Sequence, residues 1–442
     1  MDNLLAYMDQ GSFLGLRALG RQPLTQFVWI YDRDVDIEGL RRFQSNLGHG
    51  LLGRHIETSP LPFGRHRWVA HTSPAHLDIA ASELSREQVW EWADTRVRLP
   101  IDPERGPAWH LGVQPLTTGG AAVSLVASHS VADGLGLCLA IADAVHGIRR
   151  DLGYPARGAR TRTKAVVQDL GATVRSLPAT VRGLAASVRT ARTAVASKDR
   201  RPSPARRPLS VEGDSPVVPP TATVWIDLDG WDRRAGSLGG NSNSLFLGLV
   251  SRLALVLGRV GSGGRILLSL PVSDRVDEDA RANALTVVRL TADPAVVTET
   301  LADIRRELKE ALTALPDTSR DLLALMALTP FTPKALLRRL ESVAGDLSDD
   351  VGCSNLGECD PAVNRPDGTE ADQMAARAIE STITPAILDR MRGYLFAGSG
   401  RVHGRIFISV GAWVPGGSNS KQQLREWLAR AVGDMGLTGA VE

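Results

Sequence analysis

Short apolar runs alternate along this chain with stretches in which apolar residues return every third or fourth position, the signatures of strand and helix respectively. Phe27–Tyr31 (FVWIY) predicts a strand, and residues 37–52 predict a helix with Leu40, Phe43 and Leu47 on one face. Ser85 and Gln88 are spaced as a capping box, with Leu84 and Val89 placed to staple the helix they open. Ala121–Ala127 (AAVSLVA) predicts a short buried strand; Leu135, Cys138, Leu139, Ala142, Val145 and Ile148 then recur at helical spacing. The pattern resumes at Val224 with a strand (VWIDL), a helix over 243–257, strands RILLSLPV and LTVVRL, and a helix over 296–313. A mobile stretch through 316–350 is expected next, then a strand at 405–413 (RIFISVGAW) and a final helix from Ser420 with Leu424, Trp427 and Leu428 inward.

This alternation, repeated in two halves, predicts an α/β protein of two sandwich domains. A chain of 442 residues is also longer than one core comfortably serves. The expected divisions are an N-terminal half over 1–148, a crossover and linker over 149–220, and a C-terminal half over 221–442. No internal repeat of solenoid length is present.

The crossover has its own pattern. Val166, Leu170, Val174, Leu177, Val181, Leu184, Val188 and Val195 recur at three-, four- and seven-residue steps, and Arg175, Arg182 and Arg189 follow a seven-residue step. This predicts one long helix, or two broken near Pro178, with an apolar stripe and a basic side. Residues 199–220, rich in Pro, Arg and Ser, predict a flexible linker.

Charge sharpens that reading. The whole chain carries +2, yet residues 149–207 hold fifteen Arg or Lys against three acids, leaving the remainder at −10. One explanation is a solvated face over a helix that packs its valines on the two domains. The alternatives are an anionic membrane surface or an acidic carrier protein, drawn by the same field. Nucleic acid is disfavoured, because no aromatic residues interleave with the arginines to stack on bases.

The first ten residues carry Asp2 and Asp9 and no basic residue, unlike a secretory signal. Leu245–Val260 is interrupted by Arg252, Gly258 and Arg259 and reads as a buried helix, not a membrane span. Cys138, Cys353 and Cys359 form an odd set without CxxC spacing, which implies reduced thiols and a cytoplasmic setting. The remaining histidines show no metal-ligand spacing, and no Walker A or dinucleotide glycine pattern follows a strand, so neither a metal nor a nucleotide cofactor is expected.

The candidate chemistry lies at Ser128–Gly134 (SHSVADG), where the buried strand turns into its helix. A histidine at a strand's end is held rigidly yet faces a cleft, and near neutral pH it can be unprotonated, as a general base must be. Asp133-Gly134 opens the helix, so the carboxylate can bond its first N–H groups and fix the turn that carries His129. The plainer reading is a core histidine followed by an ordinary cap.

This stretch resembles the HHxxxDG signature of the coenzyme A-dependent acyltransferase superfamily, which includes wax ester synthase/diacylglycerol acyltransferases, mycobacterial polyketide-associated acyltransferases and nonribosomal peptide condensation domains. The resemblance is best to the wax ester synthase/diacylglycerol acyltransferase branch and runs over most of the chain. Pro107-Ala108-Trp109 stands at that branch's Pro-Leu-Trp element, and Asn243-Ser244 at its Asn-Asp. Pro271–Arg275 followed by Ala282-Asn283 resembles "PVSLR … GN", and Ser354–Gly357 resembles "SN(V/L)xG". Three positions depart from the pattern: Ser128 replaces the first histidine, Ala108 the leucine and Ser244 the aspartate.

The resemblance implies two chloramphenicol acetyltransferase-like halves meeting at a tunnel, with His129 at its midpoint. It implies transfer of an acyl group from an acyl-CoA or carrier-bound phosphopantetheinyl thioester to a hydroxyl, with His129 as base and Asp133 held by an arginine, for which Arg275 stands at the fitting motif position. No G-x-S-x-G elbow is present, so direct attack is expected in place of an acyl-enzyme. Backbone N–H groups at Asp133-Gly134, or the side chains of Asn243, Ser244 or Asn355, are candidate oxyanion donors, each with a capping or turn role as the alternative. Trp109 and Ser128 stand between substrate contact and plain packing. Two other readings stay open: a stand-alone condensation enzyme forming an amide, and a non-catalytic binding homologue.

Overall fold

The computed structural model describes residues 3–71, 76–196, 214–261, 263–338 and 350–442. Two sheets organise them. The first has strands β1 (Pro23–Tyr31), β4 (Leu77–Ile79), β5 (Trp109–Pro115) and β6 (Ala121–Ser128), with β2 (Arg54–Glu57) and β3 (Arg67–Ala70) paired as a separate ribbon. The second contains β7 (Thr221–Asp227), β8 (Ile266–Ser273), β9 (Leu285–Ala292), β10 (Val351–Glu358), β12 (Tyr394–Val402), β13 (Arg405–Trp413) and β14 (Ala440–Val441). The missing number, β11 (Gln373–Glu380), leaves its sequence neighbours and joins the first sheet, antiparallel to β1 over Pro23↔Glu380 to Ile30↔Gln373. The first sheet therefore runs β11-β1-β6-β5-β4, and the second β14-β7-β13-β12-β10-β8-β9.

Burial explains which runs became which strands. β1 and β6 lie inside their sheet and are buried on both faces, so their sequences are mostly apolar without alternation, and the buried Gln26 and Ser124 hydrogen-bond each other. β8 and β9 alternate buried and part-buried positions, with Ile266, Leu268, Leu270, Val288 and Leu290 turned to the core. That core is closed by helix 242–256, through Leu245, Leu249 and Leu253, and by the final helix Lys421–Asp434, through Leu424 and Leu428. Ser420 caps the final helix by accepting the Gln423 N–H.

Several expectations need correction. The helix expected from 296 begins at Ala302; residues 294–299 form turns, and the β-branched Val296, Val297 and Thr298 among them are weak helix formers. Within the stretch expected to be mobile, Leu315–Met326 is a helix; residues 339–349 of that stretch, and 199–213 of the expected linker, lie outside the described residues. The helix expected over 37–52 ends at Leu47 and is followed by a 3-10 turn at Gly50–Leu52. An N-terminal helix, α1 (Tyr7–Leu19), and strand β11 were not anticipated.

The crossover helix is continuous from Arg162 to Ala196 with Pro178 inside it. Its inward face is made of small residues, Ala165, Ala172, Gly183 and Ala186, whereas Val167, Leu170, Val174, Leu177, Val181 and Leu184 are exposed. Packing of the expected stripe on the domains is thus overturned from Leu170 to Leu184; Val188, Arg189 and Val195 lie outside the residues whose side chains are described. A Cβ at Gly183 would meet the Ala324 carbonyl at 2.4 Å, so the helix approaches Leu315–Met326 too closely for larger inward side chains.

Candidate active site

The path to His129 begins in the backbone. β6 ends at Ser128, whose N–H donates to the Ala108 carbonyl, and the His129 N–H donates to Pro23 O at 3.0 Å. The strand end is tied to both neighbouring strands, so the imidazole starts from a fixed point. Asp133 then caps the following helix (Gly134–Val145), its Oδ1 accepting the Gly136 N–H at 2.7 Å.

The other carboxylate oxygen of Asp133 looks across the molecule. Its Oδ2 accepts from Arg275 Nη2 at 2.9 Å and from the Ala284 N–H at 2.9 Å, while the Asp133 N–H donates to Ala282 O. Arg275 also reaches the carbonyls of Asp279, Arg281 and Ala282. Both partners are almost fully enclosed, so their ion pair carries little of the solvent screening that weakens surface pairs. Arg54, fully buried, braces the same region by donating to Val131 O and Ala280 O. A side chain at Gly136 would intrude at 2.9 Å on Arg275 Nη2.

His129 itself is half-buried, and its Nδ1 lies 2.9 Å from Asn283 Oδ1. The amide orientation of Asn283 follows from its other end, where Nδ2 donates to Asp9 Oδ1 at 3.2 Å. Asp9, fully buried on α1, also accepts the N–H groups of Asn283 (2.8 Å) and Ala282 (3.0 Å). With Oδ1 of Asn283 turned to the histidine, the hydrogen-bond network assigns the proton of the neutral ring to Nδ1 and its lone pair to Nε2. Burial pushes the Asp9 carboxyl up from its ordinary range, while Arg54 and the three donated hydrogens pull against that shift.

His129 opens on a cavity of about 230 Å³ between the two sheets. Thr25, Ala376, Arg377 and Ala378 contribute from the first sheet, and Pro271, Ser354, Asn355, Phe396 and Ser399 from the second. Asp133, Gly134 and Leu135 form part of the same wall. β10 parts from β12 after Asn355, and the detour, with Gly357 at φ 69°, turns Leu356 toward Gly134. Each nitrogen of the Arg377 guanidinium has an internal partner, in Gln26, Thr221 and Asp94. Ser399 contributes to the wall from β12, but its pairing with Ile408 turns its side chain to the C-terminal core, where Oγ is buried and finds no partner among the described residues.

The remaining candidates divide clearly. Asn355 lines the cavity, with Oδ1 accepting the Gly357 N–H and Nδ2 donating to Asn243 Oδ1. Ser244 is engaged in a capping box with Asn241, which is the helix cap in place of Asn243. Trp109 is packed in the core with its indole N–H on Leu52 O, and Ser128 is buried with its Oγ on the Ser130 N–H. Neither lines the cavity. Asp9 was missed by sequence reasoning, and nothing local marks it.

Among the described residues, no three His, Cys, Asp or Glu side chains gather in a metal-binding arrangement, and no helix is long and apolar enough to cross a membrane. The three cysteines are free and buried.

No protein-family model matches the chain, and no curated protein matches it. Solved structures do. The first condensation domain of the calcium-dependent antibiotic synthetase, in complex with a substrate analogue, is 16% identical, with a TM-score of 0.58 over 98% of this chain and 96% of that one. The wax ester synthase/diacylglycerol acyltransferase from Marinobacter aquaeolei VT8 is 13% identical, with a TM-score of 0.56 over 98% of each chain. Polyketide synthase associated protein 5 from Mycobacterium tuberculosis is 14% identical, with a TM-score of 0.54 over 98% of each. The chain has the two-lobed fold of these acyltransferases and condensation domains along its whole length.

Proposed function

We propose that this protein is an acyltransferase that moves an acyl group from a thioester, acyl-CoA or carrier-bound, to an acceptor hydroxyl, with His129 as general base. One observation carries the reading. His129 opens on the cavity between the two sheets with Nδ1 tied to Asn283, so the nitrogen free to take a proton is Nε2.

In this reading an acceptor O–H donates to Nε2 while its oxygen attacks the thioester carbonyl. The C–O bond forms as the proton reaches the imidazole, and the carbonyl electrons move onto oxygen. Collapse of the tetrahedral species breaks the C–S bond, and the imidazolium returns its proton to the departing thiolate. General-base assistance of this kind is worth roughly 10²–10⁴-fold. Asp133 and Arg275 do not take part in proton transfer; they hold the turn and the loop that bring His129 and Asn283 together. Backbone N–H groups at the start of the helix, where Gly134 and Leu135 line the cavity, are the candidate donors to the developing oxyanion.

The test is product analysis by mass spectrometry, pairing acyl-CoA and carrier-bound donors with alcohol and amine acceptors. Ester formation that disappears in a folded His129→Ala variant is the expected result. Amide products alone would transfer the same base to condensation chemistry, and turnover equal to the parent in H129A would remove His129 from the mechanism.

A further inference from the structure

The crossover helix presents two unlike faces. Inward, Ala165, Ala172, Gly183 and Ala186 are buried, and Asp169 is held by Ser59 (2.8 Å), Arg67 (2.9 Å) and Arg160 (3.0 Å). Outward, Val167, Leu170, Val174, Leu177, Val181 and Leu184 are 48–66% exposed, in an unbroken three-four spacing. At 1.5 Å per residue this stripe is about 25 Å long. Isolated exposed aliphatics are ordinary, but six in register on one helix form a contiguous apolar strip.

Charge selects what covers it. Asp169 is the only acid between 162 and 196, and it is sequestered inward. Arg162, Lys164, Arg175 and Arg182 are exposed, and Arg175 and Arg182 lie along one flank of the stripe. An aliphatic strip flanked by arginines, on a helix whose one acid faces inward, is the pattern of a helix lying in the interface of an anionic bilayer, its apolar side chains below the headgroups and its arginines among them. A second copy of the chain is a poorer fit. The same spacing can make a helical zipper, but this face offers no carboxylate to answer the partner's arginines.

We propose that the outward face of helix 162–187 is a docking surface for an anionic lipid membrane. It sets the protein at the surface where long acyl chains and lipid alcohols reside. The proposal stands apart from the acyl-transfer reading, since vesicle binding needs no turnover.

The test is sedimentation of the full-length protein with vesicles of equal phosphatidylglycerol and phosphatidylcholine, against phosphatidylcholine alone. The parent is expected to bind the anionic vesicles preferentially. Leu170→Gln/Leu177→Gln/Leu184→Gln should lose at least tenfold in partitioning with an unchanged melting temperature, because the replaced side chains face solvent. Arg175→Gln/Arg182→Gln should lose roughly fivefold for each arginine at low salt, and less as salt rises. This second variant decides the question should the leucine variant fold poorly. The proposal is overturned if the parent ignores anionic vesicles, or if both variants bind as the parent does. It is equally overturned if the parent is a dimer without lipid that the leucine substitutions dissociate, or if an acidic carrier protein alone occupies this face.

Discussion

Asn283 holds His129 by its Nδ1, at 2.9 Å, across 154 positions of sequence. The amide cannot turn over without breaking its second bond, from Nδ2 to Asp9, and Asp9 is fixed in turn by the backbone N–H groups of residues 282 and 283. A neutral amide in this position orients the imidazole and selects its tautomer.

Asn283→Ala is therefore expected to lower kcat by about tenfold or more, approaching the 10²-fold that a small misplacement of a reacting group can cost, with KM little changed. Asp9→Asn should act in the same direction and also lower the melting temperature, because a single amide oxygen replaces a carboxylate that accepts three N–H groups. Steady-state kinetics with thermal melts would check both. Parent kinetics in N283A would leave the bond without a role in positioning.

Asp133 and Arg275 yield the second prediction. Removing the carboxylate orphans the Gly136 and Ala284 N–H groups and leaves an enclosed guanidinium without its counter-charge. Breaking a buried pair from one side typically costs about 3–5 kcal/mol. Asp133→Ala should thus lower the melting temperature by several degrees or reduce soluble yield, along with activity. Arg275→Ala should do likewise, and the double variant should be less destabilised than the two single effects combined. Strict additivity in denaturant unfolding would argue that the two side chains are energetically independent.

The third prediction concerns pH. Burial holds His55, His66 and His110 down at about 4, below the ordinary 6.5. The unfolded chain then binds more protons than the folded one between those values, so stability is full above about pH 6.5 and falls as the pH drops toward 4. For the well-buried His110, the complete shift corresponds to roughly 3 kcal/mol. Melting temperatures measured from pH 7.5 to 4.5 should decline steadily below 6.5. A flat profile down to pH 5 would contradict burial of these imidazoles in neutral form.

How much of this was readable beforehand depends on how local each signal is. Strand β13 (Arg405–Trp413) coincides with its apolar run because that run is buried along nearly its whole length. The turn at His129 was visible because strand, histidine, cap and helix follow one another within a dozen residues. Asp9 was invisible: its partners are 273 and 274 positions away, and nothing near it announces a buried carboxylate. β11 was missed because QMAARAIE carries no strand alternation, being buried on both faces between β1 and the opposite sheet. The crossover helix teaches a different lesson. Periodicity picked out the stripe from Leu170 to Leu184 but could not say which side the protein covers, and alanine and glycine, silent in such patterns, line the packed face.

The last prediction turns on Ser399. It lies in β12 directly opposite Asn355 of β10, and its pairing with Ile408 turns its side chain to the C-terminal core, where the hydroxyl is buried without a partner among the described residues. A buried hydroxyl left unpaired costs about 1–3 kcal/mol, so the protein is expected to tolerate its removal. Ser399→Ala should leave the melting temperature unchanged or raised. Because the hydroxyl faces away from the cavity that His129 enters, kcat and KM should both stay within about twofold of the parent. Thermal melts and steady-state kinetics on the one variant check both expectations. A large loss of kcat without loss of stability would contradict this orientation and make the hydroxyl substrate-directed.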